Sequence, residues 1–156
     1  MPCPPVVACR LLRVSRMRAW ILVAALGAAC TEVHGKLESE GGPLGVFVFA
    51  PNDCASGADR EFYGVSLTED DYAVTVRLVD DVLKGKVVVV EAPGFDDPGI
   101  ELTARDCRTF SMDLDYDQCN GYQGHVELDC DVTAPGVAVP AMPGTIRGKV
   151  TFERCN

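Results

Sequence analysis

The chain has 156 residues, 47% hydrophobic and 24% charged, the composition of one ordinary globular domain rather than of a disordered chain. All 23 Asp and Glu follow Cys30, whereas Arg10, Arg13, Arg16 and Arg18 precede it, so the part after residue 29 sets 10 Lys and Arg against 23 acids, a net charge of −13. Phosphate backbones and anionic headgroups repel such a surface, which argues against nucleic acid as a partner and fits a solubilising role. Residues 10–18 form a basic patch, and residues 19–29 form an uncharged apolar run ending in small residues. Basic region, short apolar core and small-residue cleavage site are the three parts of a signal peptide, and eleven residues are too few to span a bilayer as a helix. We read residues 1–29 as that signal, with Met17 as an alternative start, and residues 30–156 as one exported domain.

At the cleavage site, Leu26-Gly27-Ala28-Ala29-Cys30 resembles the lipobox of bacterial lipoproteins, where small residues precede a cysteine that is acylated. Ala28 and Ala29 match the pattern; Leu26 sits one place early and Gly27 departs from it. The resemblance implies a small cell-envelope lipoprotein, tethered through lipid on Cys30, and Thr31 after the cysteine implies the outer membrane. Two or three acyl chains would anchor it stably where one is marginal. Plain signal-peptidase cleavage after Ala29 is the competing outcome, and it leaves Cys30 a thiol in a periplasmic or secreted protein.

The mature region reads as strands. Residues 45–50 and 86–90 are continuous apolar runs, which predict central strands covered on both faces. Residues 61–67 form a weaker strand, and residues 72–79 alternate. Asp96-Asp97 reads as a turn, as do Glu69-Asp70-Asp71 and Asp80-Asp81. Residues 103–107 could make one helical turn capped by Thr103. Alternation of period two then marks three strands: 110–116, with Phe110, Met112, Leu114 and Tyr116 on one face; Gly121–Val132, with Tyr122, Val126, Leu128, Cys130 and Val132 inward; and 145–154, with Ile146, Val150 and Phe152 inward. Pro-Gly pairs punctuate the joints. The predicted fold is all-β, a single antiparallel sandwich or flattened barrel of seven to nine strands.

The last two strands can be registered by their side chains. Opposing Glu127 with Lys149, Asp129 with Arg147, Val126 with Val150 and Gly124 with Phe152 places unlike charges outside and apolar pairs inside. That register brings Cys155 to the Cys119 end of the neighbouring strand and predicts a Cys119–Cys155 disulfide. The preceding hairpin sets Cys107 level with Cys130, and their bridge requires a bulge near Cys107 because strict alternation points them to opposite faces. Cys54 is left over, free or joined to Cys30. An exported chain meets an oxidising compartment, so disulfides are the natural reading. With Cys30 acylated five thiols remain; with Cys30 free there are six, enough for three bridges. Metal ligation lacks a Cys-x-x-Cys pair or suitably spaced histidines, and no cofactor is implied.

Other chemistry is sparse. Asp113, Asp115 and Asp117 are weak calcium candidates, but the EF-hand positions for Gly and Glu hold Gln118 and Gly124, and a solvent-facing strand accounts for the spacing. His125, beside Glu127 on an outward face, and His34, near the mature N-terminus, are the only histidines available as a base. No nucleophile elbow, phosphate loop or zinc-protease motif occurs. The aromatic residues sit at strand positions and read as core, with Phe95 on a loop tip as the exception. The expected role is a non-enzymatic envelope or surface module that binds a protein or glycan, or is structural. A calcium-dependent adhesion-type module and a carboxylate-based hydrolase are the alternatives.

Overall fold

The computed structural model describes residues 31–60, 62–70, 73–93, 95–133 and 143–156. Ten strands form two five-stranded antiparallel sheets, and no α-helix occurs among the described residues. One sheet has the order β2-β1-β10-β9-β8, built from β2 (Phe47–Phe49), β1 (Glu32–Glu40), β10 (Gly144–Cys155), β9 (Gly121–Val132) and β8 (Cys107–Asp117). The other runs β3-β4-β5-β6-β7, from β3 (Asp53–Ser56), β4 (Gly64–Thr68), β5 (Thr75–Asp81), β6 (Gly85–Ala92) and β7 (Phe95–Leu102). Every strand therefore lies beside its sequence neighbour, except where the chain crosses between sheets after β2 and after β7. The first and last strands close side by side, β1 against β10. This is an antiparallel sandwich of two meandering layers, one of the two expected forms, with ten strands rather than the expected seven to nine.

Side chains from both layers meet in one core. Leu37, Phe49, Val126, Ile146, Val150 and Phe152 come from the first sheet, and Val65, Leu67, Val76, Leu78, Val88 and Val90 from the second, all fully buried. Burial of that apolar area is the main force holding the layers together, at about 25 cal/mol per Å². The β9–β10 pairing matches the side-chain register: Glu127 faces Lys149, Asp129 faces Arg147, Val126 faces Val150 and Gly124 faces Phe152. Gly35 and Gly148 make a reciprocal close approach between β1 and β10. A Cβ on Gly148 would strike the carbonyl oxygen of Lys36, and one on Gly35 that of Lys149, with φ of +140° and +107°. Only glycine fits such a place without displacing the neighbouring strand.

Several local expectations change. The run at 45–50 is not a central strand: it forms β2, an edge strand of three residues, with Val46 and Val48 exposed. Its neighbour on one side only is β1, so half of its apolar pattern has nothing to cover it. Val87, Val88, Val89 and Val90 are all buried, as a strand covered on both faces requires. Residues 103–106 make a turn rather than a helical one: the Asp106 carboxylate accepts from the Thr103 amide and hydroxyl, both at 2.8 Å, and β8 starts at Cys107. Both side chains cap it: the Thr103 hydroxyl accepts from the Arg105 amide at 3.3 Å, and Asp106 adds the two bonds to Thr103. Asp96 and Asp97 fall inside β7 instead of a turn.

Candidate functional site

Each cysteine among the described residues is disulfide-bonded. Cys54 joins Cys155 and Cys107 joins Cys130. Cys119 is bonded too, and its partner lies outside the described residues. The expected Cys119–Cys155 bridge is therefore not formed. The reason is a bulge in β10 between Phe152 and Cys155, where Arg154 takes a left-handed conformation with φ of 61°. The extra residue turns Cys155 inward, fully buried, toward β3 of the opposite sheet, where Cys54 waits. Cys54 is thus no leftover; it ties the two layers together. The Cys107–Cys130 pair sits opposite in register, with a bulge between Cys107 and Thr109 that brings both sulfurs to one side. Bridges of this kind place the protein outside the reducing cytoplasm.

The carboxylate row at Asp113, Asp115 and Asp117 lies along β8, an edge of its sheet. Asp115 accepts from the Gln123 side-chain amide at 2.9 Å, and Asp117 caps the turn at 118–120 by accepting from the amides of Cys119 and Asn120. No three acidic, histidine or cysteine side chains come together as a metal cage among the described residues. Charges along a long edge strand discourage pairing with another chain, and that is the physical use we see for them. On the same outer face His125 Nε2 lies 3.1 Å from the Ser111 hydroxyl. This pair sits exposed on the strand surface, and Ser111 is the one side-chain hydrogen-bond partner of the His125 ring among the described residues. Among the described residues no third side chain hydrogen-bonds to the His125 ring, although Asp113 stands opposite His125 in the β8–β9 register; an activated serine needs a base that a third group orients.

Electrostatic ladders cross the outer face nearby. Arg108 lies 2.5 Å from Asp129 and 2.9 Å from Asp131. Hydrogen bonds from Arg108 hold the Asp129 carboxyl below its ordinary value, and those to Asp129 and then Asp131 push the guanidinium up. The amides of Lys84 and Leu83 do the same to Asp81, lowering it as they cap the 82–84 turn. These exposed pairs are structural trim rather than chemistry.

The feature with the shape of a binding site is an aromatic groove spanning the two sheets. Its described lining is Ser56, Ala58, Phe62, Tyr63, Tyr116 and Tyr122, around a volume of about 640 Å³. Ligand sites fall in this range and combine apolar walls with a few polar groups. Tyr116 and Tyr122 are direct cross-strand neighbours at the β8–β9 turn, with ring centroids 5.0 Å apart and planes tilted by 53°. Tyr63 and Phe62 come from the β3–β4 connection, which a 3-10 turn at Gly57–Arg60 folds back on itself. That fold-back is closed by the Phe62 amide donating to the Gly57 carbonyl at 3.1 Å and by the Asp80 amide donating to the Tyr63 carbonyl at 2.9 Å. Gly57 is needed there because a Cβ would come within 2.5 Å of the Phe62 ring. The Arg77 guanidinium lies 5.9 Å from the centre of the Phe62 ring and is itself held 2.6 Å from Glu91.

Tyr63 is 74% exposed and Tyr116 59% exposed. The expectation that strand aromatics belong to the core therefore holds for Phe49 and Phe152, which are buried, and fails for these two. A second recess shares Tyr63 and Tyr122 and runs on past Gly64, Asp80, Val82 and Leu114. None of the described residues lining the main groove is charged, although the domain around it is strongly acidic. Phe95 opens β7 opposite Ala92, and its side chain lies outside the described residues. Comparison with protein-family models, with curated proteins and with solved structures finds no match to this chain.

Proposed function

We propose that this chain is an exported, non-enzymatic binding protein of the cell envelope or surface, and that the Tyr63–Tyr116–Tyr122 groove receives a neutral glycan. The observation that carries the reading is the exposure of two tyrosines in a groove with a third tyrosine and a phenylalanine. Tyrosine offers a flat apolar face and a hydroxyl on one rigid side chain, which suits a sugar ring with C–H faces and peripheral hydroxyls. Ser56 adds a further hydroxyl to the wall. The described lining residues carry no charge to serve as a counter-ion for an acidic or basic ligand, and the net charge of the domain disfavours anionic polymers. Acylation at Cys30 would hold this domain on a membrane; a disulfide at the same sulfur would leave it soluble.

Calorimetric titration with neutral oligosaccharides of glucose, N-acetylglucosamine, mannose and galactose tests the reading. We expect at least one series to bind, with affinity rising with chain length, and Tyr63→Ala and Tyr116→Ala each to weaken it about tenfold, or ~1.4 kcal/mol. Both variants should keep the wild-type melting temperature within a few degrees, because each removes an exposed side chain. Absence of binding across the panel, or binding indifferent to both substitutions, would count against the proposal.

A further inference from the structure

We propose that a recess between the β5–β6 turn and the β7–β8 crossover binds a small amphipathic anion, one carboxylate or phosphate head on an apolar body. Its described walls include Leu83, Lys86, Ala104, Arg105 and Phe110, around a volume of about 580 Å³. It shares no described lining residue with the tyrosine groove.

The fold leaves two cations of this recess without a counter-charge. Lys86 and Arg105 have no carboxylate partner among the described residues. Every other lysine or arginine whose side chain is described holds one, from Lys36 with Glu38 to Arg154 with Glu32. In a domain with an excess of acids, two uncompensated cations converging on one recess mark a place for an anion from outside. Lys86 Nζ donates to the Met112 carbonyl at 2.6 Å, which fixes the ammonium against the opposite sheet and leaves its charge unneutralised. Arg105 adds a planar fork that can meet two oxygens of one carboxylate or phosphate.

The acids nearest in sequence are turned elsewhere. Asp81 accepts from the Leu83 and Lys84 amides at 2.7 and 2.8 Å, Glu101 holds the Lys84 ammonium at 2.8 Å, and Asp106 is bonded to Thr103. No carboxylate lies among the described lining residues. The more distant acids repel a polyanion, but salt screens them beyond about 8 Å, so the near cations decide the fate of a single head group.

The apolar half of the ligand follows from the remaining walls. Leu83 is 95% exposed on a turn that the Asp81 bonds hold in place, and it shares the recess with the half-buried Phe110 and with Ala104. One exposed leucine signifies little by itself. Beside uncompensated cations it completes a site with a polar end and an apolar end. An alkyl chain laid on Leu83 and Phe110 would gain up to about fourfold in affinity for each methylene buried.

Calorimetric titration of the purified protein with octyl phosphate and octanoate, below their aggregation concentrations, tests the proposal, with butyl phosphate, butyrate and 1-octanol beside them. We expect at least one octyl anion to bind one to one, at least tenfold tighter than its butyl counterpart and than 1-octanol. Arg105→Gln and Lys86→Gln should each weaken it about fivefold, and Leu83→Ser should remove the advantage of octyl over butyl. Arg147→Gln removes a cation already paired with Glu40 and should leave the binding within about twofold. No saturable binding of either octyl anion, 1-octanol binding as tightly, or a loss in Arg147→Gln as large as in Arg105→Gln would overturn the proposal.

Discussion

Cys155, the last strand residue of β10, is bonded across the core to Cys54 on β3, with the Cα atoms 5.1 Å apart and 101 residues of chain between them. The bond joins the two sheets at the place where they share no backbone ladder, and it closes nearly the whole domain into one loop. Its position follows from the left-handed Arg154, without which Cys155 would point to solvent.

A loop of that length removes much of the freedom of the unfolded chain. Replacing both cysteines, Cys54→Ala with Cys155→Ala, should cost about 4–5 kcal/mol of stability, whereas Cys107→Ala with Cys130→Ala, which opens a loop of 23 residues, should cost about 3. Urea unfolding of both double variants gives the comparison. An equal loss from the two would show that loop length does not set the effect.

Gly148→Ala should destabilise the domain by about 3 kcal/mol or more, since the added Cβ meets the Lys36 carbonyl and the backbone sits at φ +140°. Gly85→Ala is the control. It also has positive φ, but a Cβ there meets nothing within 4 Å, so the cost should stay near 1 kcal/mol.

Ser66 lies buried on β4, and its hydroxyl has no hydrogen-bond partner among the described residues. Ser66→Ala should therefore keep or raise stability, by up to about 1 kcal/mol, because it removes an unpaid desolvation of the hydroxyl. A clear loss in thermal unfolding would mean that the hydroxyl finds a partner in solution.

The carboxyls of Asp129, Glu38 and Asp81 titrate lower in the fold than in the open chain, through hydrogen bonds from Arg108, from Lys36 and from the amides of Lys84 and Leu83. A lowered carboxyl binds its proton less readily when folded. Its contribution is therefore complete above the ordinary carboxylate range and is lost as pH falls through the lowered folded value. Stability should be flat near neutrality and fall in acid over that window. Arg108→Gln should return Asp129 to the ordinary range, as carboxyl NMR titration would show. An unmoved Asp129 would mean that Arg108 is not its partner in solution.

Much of this fold can be read from alternating residues. The β9–β10 register followed from two charge pairs and one apolar pair, because side chains of a half-buried ladder face each other at fixed spacing. The bulge at Cys107 was legible for the same reason, since two level cysteines on opposite faces demand an extra residue. The bulge at Arg154, with φ of 61°, left no such mark: it turns Cys155 toward Cys54 on β3, a contact between sheets that strand periodicity does not encode. The groove was hidden in the same way. Tyr116 and Tyr122 carry the inward alternation of core residues, yet they stand at the end of an edge hairpin where the opposing layer supplies Tyr63 instead of a cover. A signal was present in the turn residues 118–120 beside them, because inward positions next to a turn face the rim of a sandwich rather than its middle.

The most direct measurement of the binding account is an aromatic carbon–proton NMR spectrum of the domain, recorded during titration with the neutral oligosaccharide that binds best by calorimetry. Trp20 is the one tryptophan of the chain, so a domain expressed from residue 30 onward gives ring signals from tyrosine, phenylalanine and histidine alone. The account predicts that Tyr63, Tyr116 and Tyr122 shift together along one saturation curve while the buried Phe49 stays fixed. Saturable binding with those three tyrosines unmoved would contradict it.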